Sequence, residues 1–465
     1  MRPLTKRFVL ILAILRLAVL TPTAQAVDGD PDPSFDGDGI LVFSGHTDYW
    51  NNRAIVAPDG AEVVVGDLRI SGSRSIYWRR VDVGGAAAIC NQIPSGVEVI
   101  QMRAATFDSQ GRLLLLADFR LEGETSYRIA VYRYLYPSCE LDTSFAGDGL
   151  AIYSPAPPGY STRRSAGIST GRWANLPPLY VNRIFVVFSM DLSPSSPATF
   201  VLRLRENGTI DTGFGGGDGI LPVGDDLYAL GIERTLDGRY LVAALSGVAG
   251  FDSDAVVRRY DHEGTLDTGF GVGGTATLDL SPASESSDEL TALRVGPDGR
   301  IWLAGRTYQI DPDTAIAALA VLTSQGQPDA SFSGDGRLTF SVQGAGWTRF
   351  TKVAAQGDGR VVLTGGFEDP SLPGDYEVVA VRFGEDGNLD PGFGSGGVRA
   401  FALDSFPGAD ELGTAIDLRP DGRIWVAGWT DVGLVDDPLY QPFVFLLTNS
   451  YIFADGFERG STGAW

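Results

Sequence analysis

Lysine, histidine and cysteine are nearly missing from this sequence of 465 residues. Histidine occurs only at His46 and His262, and neither stands in a pattern that would pair a nucleophile with a base. No phosphate-binding loop and no zinc-binding histidine motif is found. The sequence therefore predicts no catalytic residue and no organic cofactor. The 58 acidic residues still leave room for a carboxylate pair of the kind that hydrolyses glycosides.

Basic residues are also scarce, because 36 lysines and arginines stand against 58 aspartates and glutamates, for a net charge of −22. Without the first 26 residues the balance is 32 to 58, or −26. A surface with that charge repels phosphate backbones and anionic membranes. We therefore expect no nucleic-acid partner, and we expect the protein to be a monomer.

The sequence lacks an apolar run long enough to cross a bilayer. The N-terminal run, Phe8 to Leu20, has 13 residues, whereas a spanning helix needs ~20. It follows a basic start and precedes Ala24-Gln-Ala26, which predicts a signal peptide over residues 1–26 with cleavage after Ala26. An N-terminal anchor helix is the alternative. We expect the mature protein to be secreted, periplasmic or on the cell surface.

Only two cysteines are present, Cys90 and Cys139. An exported chain meets an oxidising compartment, where an even number of cysteines favours a bridge. We predict a disulfide between them that ties neighbouring repeats together. Two separate thiols are the alternative.

What the sequence has in abundance is glycine, 60 residues, much of it in a short repeated box. At residues 141–149 the box reads Leu-Asp-Thr-Ser-Phe-Ala-Gly-Asp-Gly. Its six visible copies are marked by Phe35, Phe145, Phe214, Phe270, Phe332 and Phe393, which are 110, 69, 56, 62 and 61 residues apart. The first interval is two units long, which predicts a degenerate box near Cys90-Asn-Gln-Ile93 and seven units in total.

Each unit contains short β-branched or aromatic runs bounded by glycine, proline or aspartate, with a Pro-Asp-Gly turn such as residues 297–299 between two of them. No stretch of the mature chain sustains a helical period over three turns. The sequence predicts an all-β fold over residues 27–450, a seven-bladed β-propeller of four-stranded repeats of ~55–69 residues. An array of β-sandwiches is the alternative. No strand signal precedes Asp32, so we do not expect a blade shared by the two ends of the chain.

The acidic residues of the first box and its lead suggest a metal site. Asp28 and Asp30, like Asp36 and Asp38, are two residues apart beside glycine, a spacing that can chelate calcium. A structural interpretation competes with this one. The box aspartate accepts N–H bonds two residues on, the phenylalanine anchors the turn in the core, and the glycines reverse the chain. On that interpretation the box is the joint between one small sheet and the next.

Three segments carry a resemblance to a known family. They are the box, the downstream Pro-Asp-Gly-Arg-Ile-x-Val-Ala-Gly, and Val-x-Arg-[Phe/Tyr]-x-x-[Asp/Glu]-Gly, as at residues 257–264 and 381–387. In this order they resemble the delta-60 repeat family of bacterial exported proteins, over residues 32–448. The resemblance implies a repetitive, propeller-like extracellular protein and carries no catalytic residues. Residues 451–465 resemble a short ending of exported proteobacterial proteins, either a sorting or processing tag or a last strand that packs on the propeller.

These observations predict a non-catalytic binding or interaction scaffold of the bacterial cell envelope or exterior, with a protein or polysaccharide as its partner. A calcium-stabilised surface structural protein and a carbohydrate-active enzyme are the alternatives. Among the tryptophans, Trp302 and Trp425 are expected to pack between blades. Trp50, Trp173 and Trp347 lie in loop-like stretches and are free to stack on sugars.

Overall fold

All regular secondary structure in the described part of the chain is β-strand. The structure is a computed structural model. It describes residues 27–43, 49–70, 73–92, 97–121, 123–124, 127–154, 161–170, 183–193, 196–246, 253–280, 286–309, 314–342, 344–403, 410–431 and 440–449. Within these ranges no helix is long and apolar enough to cross a membrane. The predicted signal peptide (1–26), the C-terminal segment 451–465, His46 and Trp173 lie outside them.

The 28 strands fall into seven groups of four. The first strand along the chain, β1 (Ile40–Val42), does not belong to the sheet of the strands that follow it. Blade 1 contains β2 (Tyr49–Val56), β3 (Glu62–Ile70), β4 (Ser73–Asp82) and β5 (Gly85–Gln92). Blade 2 contains β6 (Val97–Phe107), β7 (Leu113–Leu121), β8 (Arg128–Tyr134) and β9 (Leu150–Tyr153). Blade 3 contains β10 (Ser161–Thr170), β11 (Ile184–Ser193), β12 (Ser196–Leu204) and β13 (Ile220–Asp225).

The remaining blades follow the same order. Blade 4 contains β14 (Leu227–Arg234), β15 (Tyr240–Ser246), β16 (Ala255–Tyr260) and β17 (Thr275–Leu278). Blade 5 contains β18 (Ser286–Val295), β19 (Ile301–Gln309), β20 (Thr314–Leu322) and β21 (Arg337–Phe340). Blade 6 contains β22 (Thr348–Ala355), β23 (Val361–Glu368), β24 (Tyr376–Phe383) and β25 (Val398–Phe401). Blade 7 contains β26 (Glu411–Leu418), β27 (Ile424–Asp431) and β28 (Tyr440–Leu447), together with β1.

The seven antiparallel sheets form a closed ring. The first strand of each blade contacts the first strand of the next, from β2 to β6 and onward to β26, which contacts β2 again. These seven strands line the centre, and the fourth strands form the outer edge. Radial repetition leaves only short edges exposed, which is why such a ring needs no capping repeats. The predicted seven-bladed β-propeller is confirmed.

The ring is closed by a blade that both ends of the chain share. Strand β1 pairs antiparallel with β28, with Ile40 opposite Phe445 and Val42 opposite Phe443. The expectation of a closure without a shared blade is therefore wrong. The strand that completes blade 7, β1, follows the first box and therefore lies after Asp32 and not before it.

Seven apolar cores hold the ring together, one between each pair of neighbouring blades. The second strands are buried on both faces, as in β7, where Leu113 to Ala117 have no exposure. Trp425, which is wholly buried between blades 7 and 1, removes roughly 150–250 Å² from water. At ~25 cal/mol per Å² that burial favours folding by ~4–6 kcal/mol, an upper bound.

The box lies inside a blade and not between two sheets along the chain. In blade 6, for example, residues 389–397 connect β24 to the outermost strand β25. Blade 1 has no box, because the two-residue turn at Val83 and Gly84 joins β4 to β5 directly. Cys90 belongs to β5, so the predicted degenerate box near Cys90-Asn-Gln-Ile93 is wrong. The box is absent from blade 1 because a tight hairpin replaces the longer connection between its third and fourth strands.

Candidate functional site

The two ends of the propeller differ in what they carry. The turn after each first strand and the box after each third strand emerge at the same end, because neighbouring strands run antiparallel. We call this end the box face. The connections from second to third strands and from blade to blade emerge at the other end, which we call the loop face. The six boxes therefore lie together on one side of the ring.

The box aspartate forms a turn, as its structural interpretation predicted. In all six copies its carboxylate accepts the backbone N–H two residues on, as Asp390 Oδ1 does from Gly392 at 2.9 Å. The six box phenylalanines have no solvent exposure. Each box also contacts the next blade: the Ala146 N–H donates to the carbonyl of Asn207, and a Cβ added at Gly208 would meet Phe145 at 2.9 Å. The copies form separate joints and no common site.

Sequence reasoning missed the arginine that completes four of the six joints. Arg382, on the third strand of blade 6, is 1% exposed, its Nε lies 2.8 Å from Asp390, and its guanidinium covers the Phe393 ring at 4.9 Å. The same arrangement recurs with Arg133, Arg203 and Arg259 in blades 2, 3 and 4. The recurring Val-x-Arg segment before the box was the available signal for it.

The calcium candidates do not meet as one group. Asp28 Oδ2 lies 2.9 Å from Arg382, and Asp30 Oδ1 lies 3.2 Å from Arg399. Asp38 accepts the N–H of Ile40 at 3.0 Å, and Asp36 is exposed. Within the described ranges no cluster of three or more histidine, cysteine or acidic residues is placed to hold a metal ion. Calcium at these residues stays a prediction.

The other residues singled out from the sequence are spread over the ring. Cys90 of β5 and Cys139, which precedes the box of blade 2, form a disulfide with a Cα–Cα distance of 5.3 Å. Trp302 and Trp425 are wholly buried between blades. Trp347 is half-buried and packs edge-on against Tyr376 at 4.9 Å. Trp50 belongs to β2, and its side chain lies outside the described part.

A cavity of about 520 Å³ occupies the centre of the ring. Each of the seven first strands has a bulge in its pairing with the second strand. Bulges re-aim side chains and are frequent beside binding sites. Here the residue at or next to the bulge lines the cavity in every blade: Arg53, Arg103, Ala166, Leu230, Thr291, Thr351 and Thr414. No sequence pattern pointed to this feature.

The cavity opens towards the loop face. Trp429, near the end of β27, and Tyr440, the first residue of β28, line it, and both strand ends point away from the boxes. Their rings are 4.9 Å apart and edge-on. Towards the box face, Arg294 lies 3.5 Å from Glu233 and 3.7 Å from Asp417. These three side chains come from blades 5, 4 and 7 and reach across the channel, so the cavity has a polar floor.

The wall of the cavity is cationic although the chain is strongly acidic. Arg53, Arg103, Arg349 and Lys352 line it, and none of the described lining residues is acidic. Arg103 is paired with the buried Asp118 at 2.6 Å. Burial lowers the pKa of Lys352 to about 7, with repulsion from Arg53 and Arg294 adding to the shift. Burial also lowers the pKa of Arg53, with repulsion from Arg103 next in size.

No protein-family model matches the sequence, and no curated protein is similar to it. Several solved structures are similar to this chain at low identity, with TM-scores below 0.5. A polysaccharide lyase, Uly1, is 12% identical, with 91% of this chain and 98% of that chain covered and a TM-score of 0.43. An α-L-arabinofuranosidase from Fusarium graminearum is 9% identical, with coverage of 76% and 93% and a TM-score of 0.43. A neuraminidase-like protein from A/bat/Guatemala/164/2009 is 10% identical, with coverage of 78% and 92% and a TM-score of 0.39.

Proposed function

We propose that this protein is an exported, non-catalytic binding protein that holds its ligand in the central cavity. One observation carries the proposal: all seven first strands bulge at the same level and direct side chains into one space. A bulge interrupts the ladder of hydrogen bonds, so seven of them at one level disfavour a purely structural role for this region. Export rests on the signal-peptide pattern and on the delta-60 resemblance.

The surrounding fold suits a preformed site. Thr291 Oγ1 donates to the carbonyl of Phe350 on the next blade at 2.7 Å, and the Thr351 hydroxyl reaches the carbonyl of Gly413 in the same way. The seven apolar cores fix the blades behind these contacts. Because binding costs less when the site is already ordered, a rigid ring of this kind favours recognition. The non-catalytic part of the proposal rests on the lack of a nucleophile–base pattern in the sequence.

The test is to fill the cavity without altering the outer surface. Leu230→Trp places a large ring at the bulge of blade 4, and Ile152→Trp, on the exposed outer strand of blade 2, is the matched control. The mature protein from residue 27 onward would be applied to a glycan array and used to capture exported proteins. We expect Leu230→Trp to abolish binding and Ile152→Trp to leave it unchanged. Equal binding by both variants would contradict the proposal.

A further inference from the structure

The cavity cations Arg53 and Lys352 differ from the arginines of the box joints. Arg133 and Arg382, which are each 1% exposed, have carboxylate partners at 2.9 and 2.8 Å. Arg53 and Lys352 make no ion pair and no side-chain hydrogen bond with any residue in the described part of the chain. The Nε of Arg349 is also buried and without a partner there. Asp67 and Glu233 offset the charges of Arg53 and Lys352 only in part. The described wall of the cavity carries four cations and no acid, and such a wall attracts an anion.

Arg53, Arg349 and Lys352 come from blades 1 and 6 and lie on one side of the central cavity. Arg53 is on β2 and Lys352 is on β22, and both directly follow the bulge of their strand. Arg349 lies three residues before Lys352 on β22 and is therefore nearer the loop face. Its guanidinium covers the Trp347 ring at 5.0 Å. Arginine offers several N–H donors in a plane that matches a carboxylate or phosphate, and lysine adds a mobile point charge.

Lys352 is the only lysine after residue 26. A chain that otherwise uses arginine places this one amine in the cavity, where burial, Arg53 and Arg294 disfavour its charge and Glu233 favours it. An anion beside it would raise its pKa again, because an opposite charge stabilises the ammonium form. Near neutral pH the protein would then take up a proton as the anion binds.

We propose that the cavity is an oxyanion site, in which Arg53, Arg349 and Lys352 bind the carboxylate or phosphate groups of a small molecule or of a polymer end. This inference rests on the proposed function and names its ligand class. Glu233, Arg294 and Asp417 reach across the channel towards the box face, which favours a small molecule or a polymer end over a threaded chain. Trp429 and Tyr440 offer ring faces to an apolar or sugar part of the same ligand.

Citrate, glucuronate and inorganic phosphate are the anions to test, with glucose as the neutral control at constant ionic strength. Thermal unfolding and calorimetric titration of the mature protein are the measurements. We expect at least one anion to raise the melting temperature by roughly 2–4 °C when it reaches ~100 times its Kd, and glucose to have no effect. The carboxylates and phosphate distinguish the two oxyanion chemistries. Titration at pH 7 to 8 in buffers of different ionisation enthalpy should show proton uptake, and Lys352→Met should remove it.

The substitutions Arg53→Gln and Lys352→Met should each weaken the anion at least tenfold, whereas Arg337→Gln on the outer strand β21 should not. If no anion raises the melting temperature, or if Arg53→Gln and Lys352→Met leave its Kd unchanged, the inference is overturned. If glucose or another neutral ligand binds and Leu230→Trp removes that binding, the cavity is the ligand site and only the inference that the ligand is an anion is overturned. If anion binding survives Leu230→Trp, the proposed function fails with it.

Discussion

Arg294 and Asp417 face each other across the channel from blades 5 and 7, which are not neighbours in the ring. Arg294 Nη2 lies 3.7 Å from Asp417 Oδ1, and Nη1 lies 3.5 Å from Glu233 on blade 4. Asp417 also accepts the N–H of Val56 on blade 1 at 3.4 Å. One arginine thus connects parts of the ring that no apolar core joins directly.

The Arg294→Gln substitution should lower stability only slightly. The Arg294 side chain keeps 45% exposure and Asp417 keeps 26%, so water in the channel screens the pair. We expect a coupling free energy of about 0.3–1 kcal/mol in a double-mutant cycle of Arg294→Gln and Asp417→Asn, measured by denaturant unfolding. A coupling of ~3 kcal/mol or more would mean that the floor holds the ring together, contrary to this account.

Glu62 should make the protein less stable as pH rises. It is wholly buried in β3, and within the described part of the chain neither of its carboxylate oxygens has a hydrogen-bond partner. Burial raises its pKa well above the ordinary value of 4.5, with Asp417 adding to the shift. The folded state therefore favours the protonated form. Its contribution is complete below the ordinary glutamate pKa and is lost as pH rises above it towards the folded-state pKa.

The equivalent positions at the start of the other second strands are Leu113, Ile184, Tyr240, Ile301, Val361 and Ile424. Glu62→Leu should therefore raise the free energy of unfolding at pH 7 by ~1–3 kcal/mol and flatten its decrease between pH 5 and 8. Glu140→Gln, at an exposed residue, is the control. An unchanged pH profile in Glu62→Leu would show that Glu62 does not cause the decrease.

Arg382 should be among the most costly residues to replace. It holds Asp390 of its own box and Asp28 of the N-terminal segment, at 2.8 and 2.9 Å, and both carboxylates are nearly buried. Arg382→Met would remove the buried guanidinium from both carboxylates, leaving Asp390 with the more exposed Arg360 at 3.3 Å, at a cost of ~3–5 kcal/mol in denaturant unfolding.

Arg399→Met is the matched control, because Arg399 binds Asp30 of the same segment at 3.2 Å with both side chains at least one-third exposed. Its loss should cost at most ~1 kcal/mol. Equal costs for the two variants would show that the buried joint contributes no more than a surface ion pair.

The blade count could be predicted because the box is dictated by local chemistry. A buried phenylalanine, an aspartate that caps a turn and glycines at positive φ, such as Gly149 at 87°, require the same residues in six of the seven blades. The period does not show where one sheet ends, so the box was placed between sheets although it joins the third and fourth strands of one blade. The closure was missed for a related reason: β1 has three residues, and its partner β28 lies some four hundred residues away.

The cavity could not be predicted at all. Arg53 and Lys352 lie in strands that read like their neighbours, and only the bulges turn them inward. A bulge depends on the pairing between two strands and leaves no reliable mark in either strand alone. The net charge of −22 also gives no sign of the positive charge of the cavity, because net charge does not depend on where the four cations lie.

The disulfide should contribute to stability without affecting the cavity. Cys90 and Cys139 are 49 residues apart and connect blade 1, which has no box, to blade 2. Blade 1 therefore lacks the box joint to its neighbour that six blades have, and the bridge lies at the same boundary. Closing a loop of that length restricts the unfolded chain and stabilises the fold by about 4 kcal/mol.

The double variant Cys90→Ser with Cys139→Ser should lose that amount in denaturant unfolding, and reductant should lower the stability of the unaltered protein but not of the variant. Anion binding at the cavity, measured below the unfolding transition, should stay the same in both. A variant as stable as the unaltered protein would show that the apolar core between blades 1 and 2 is sufficient without the bridge.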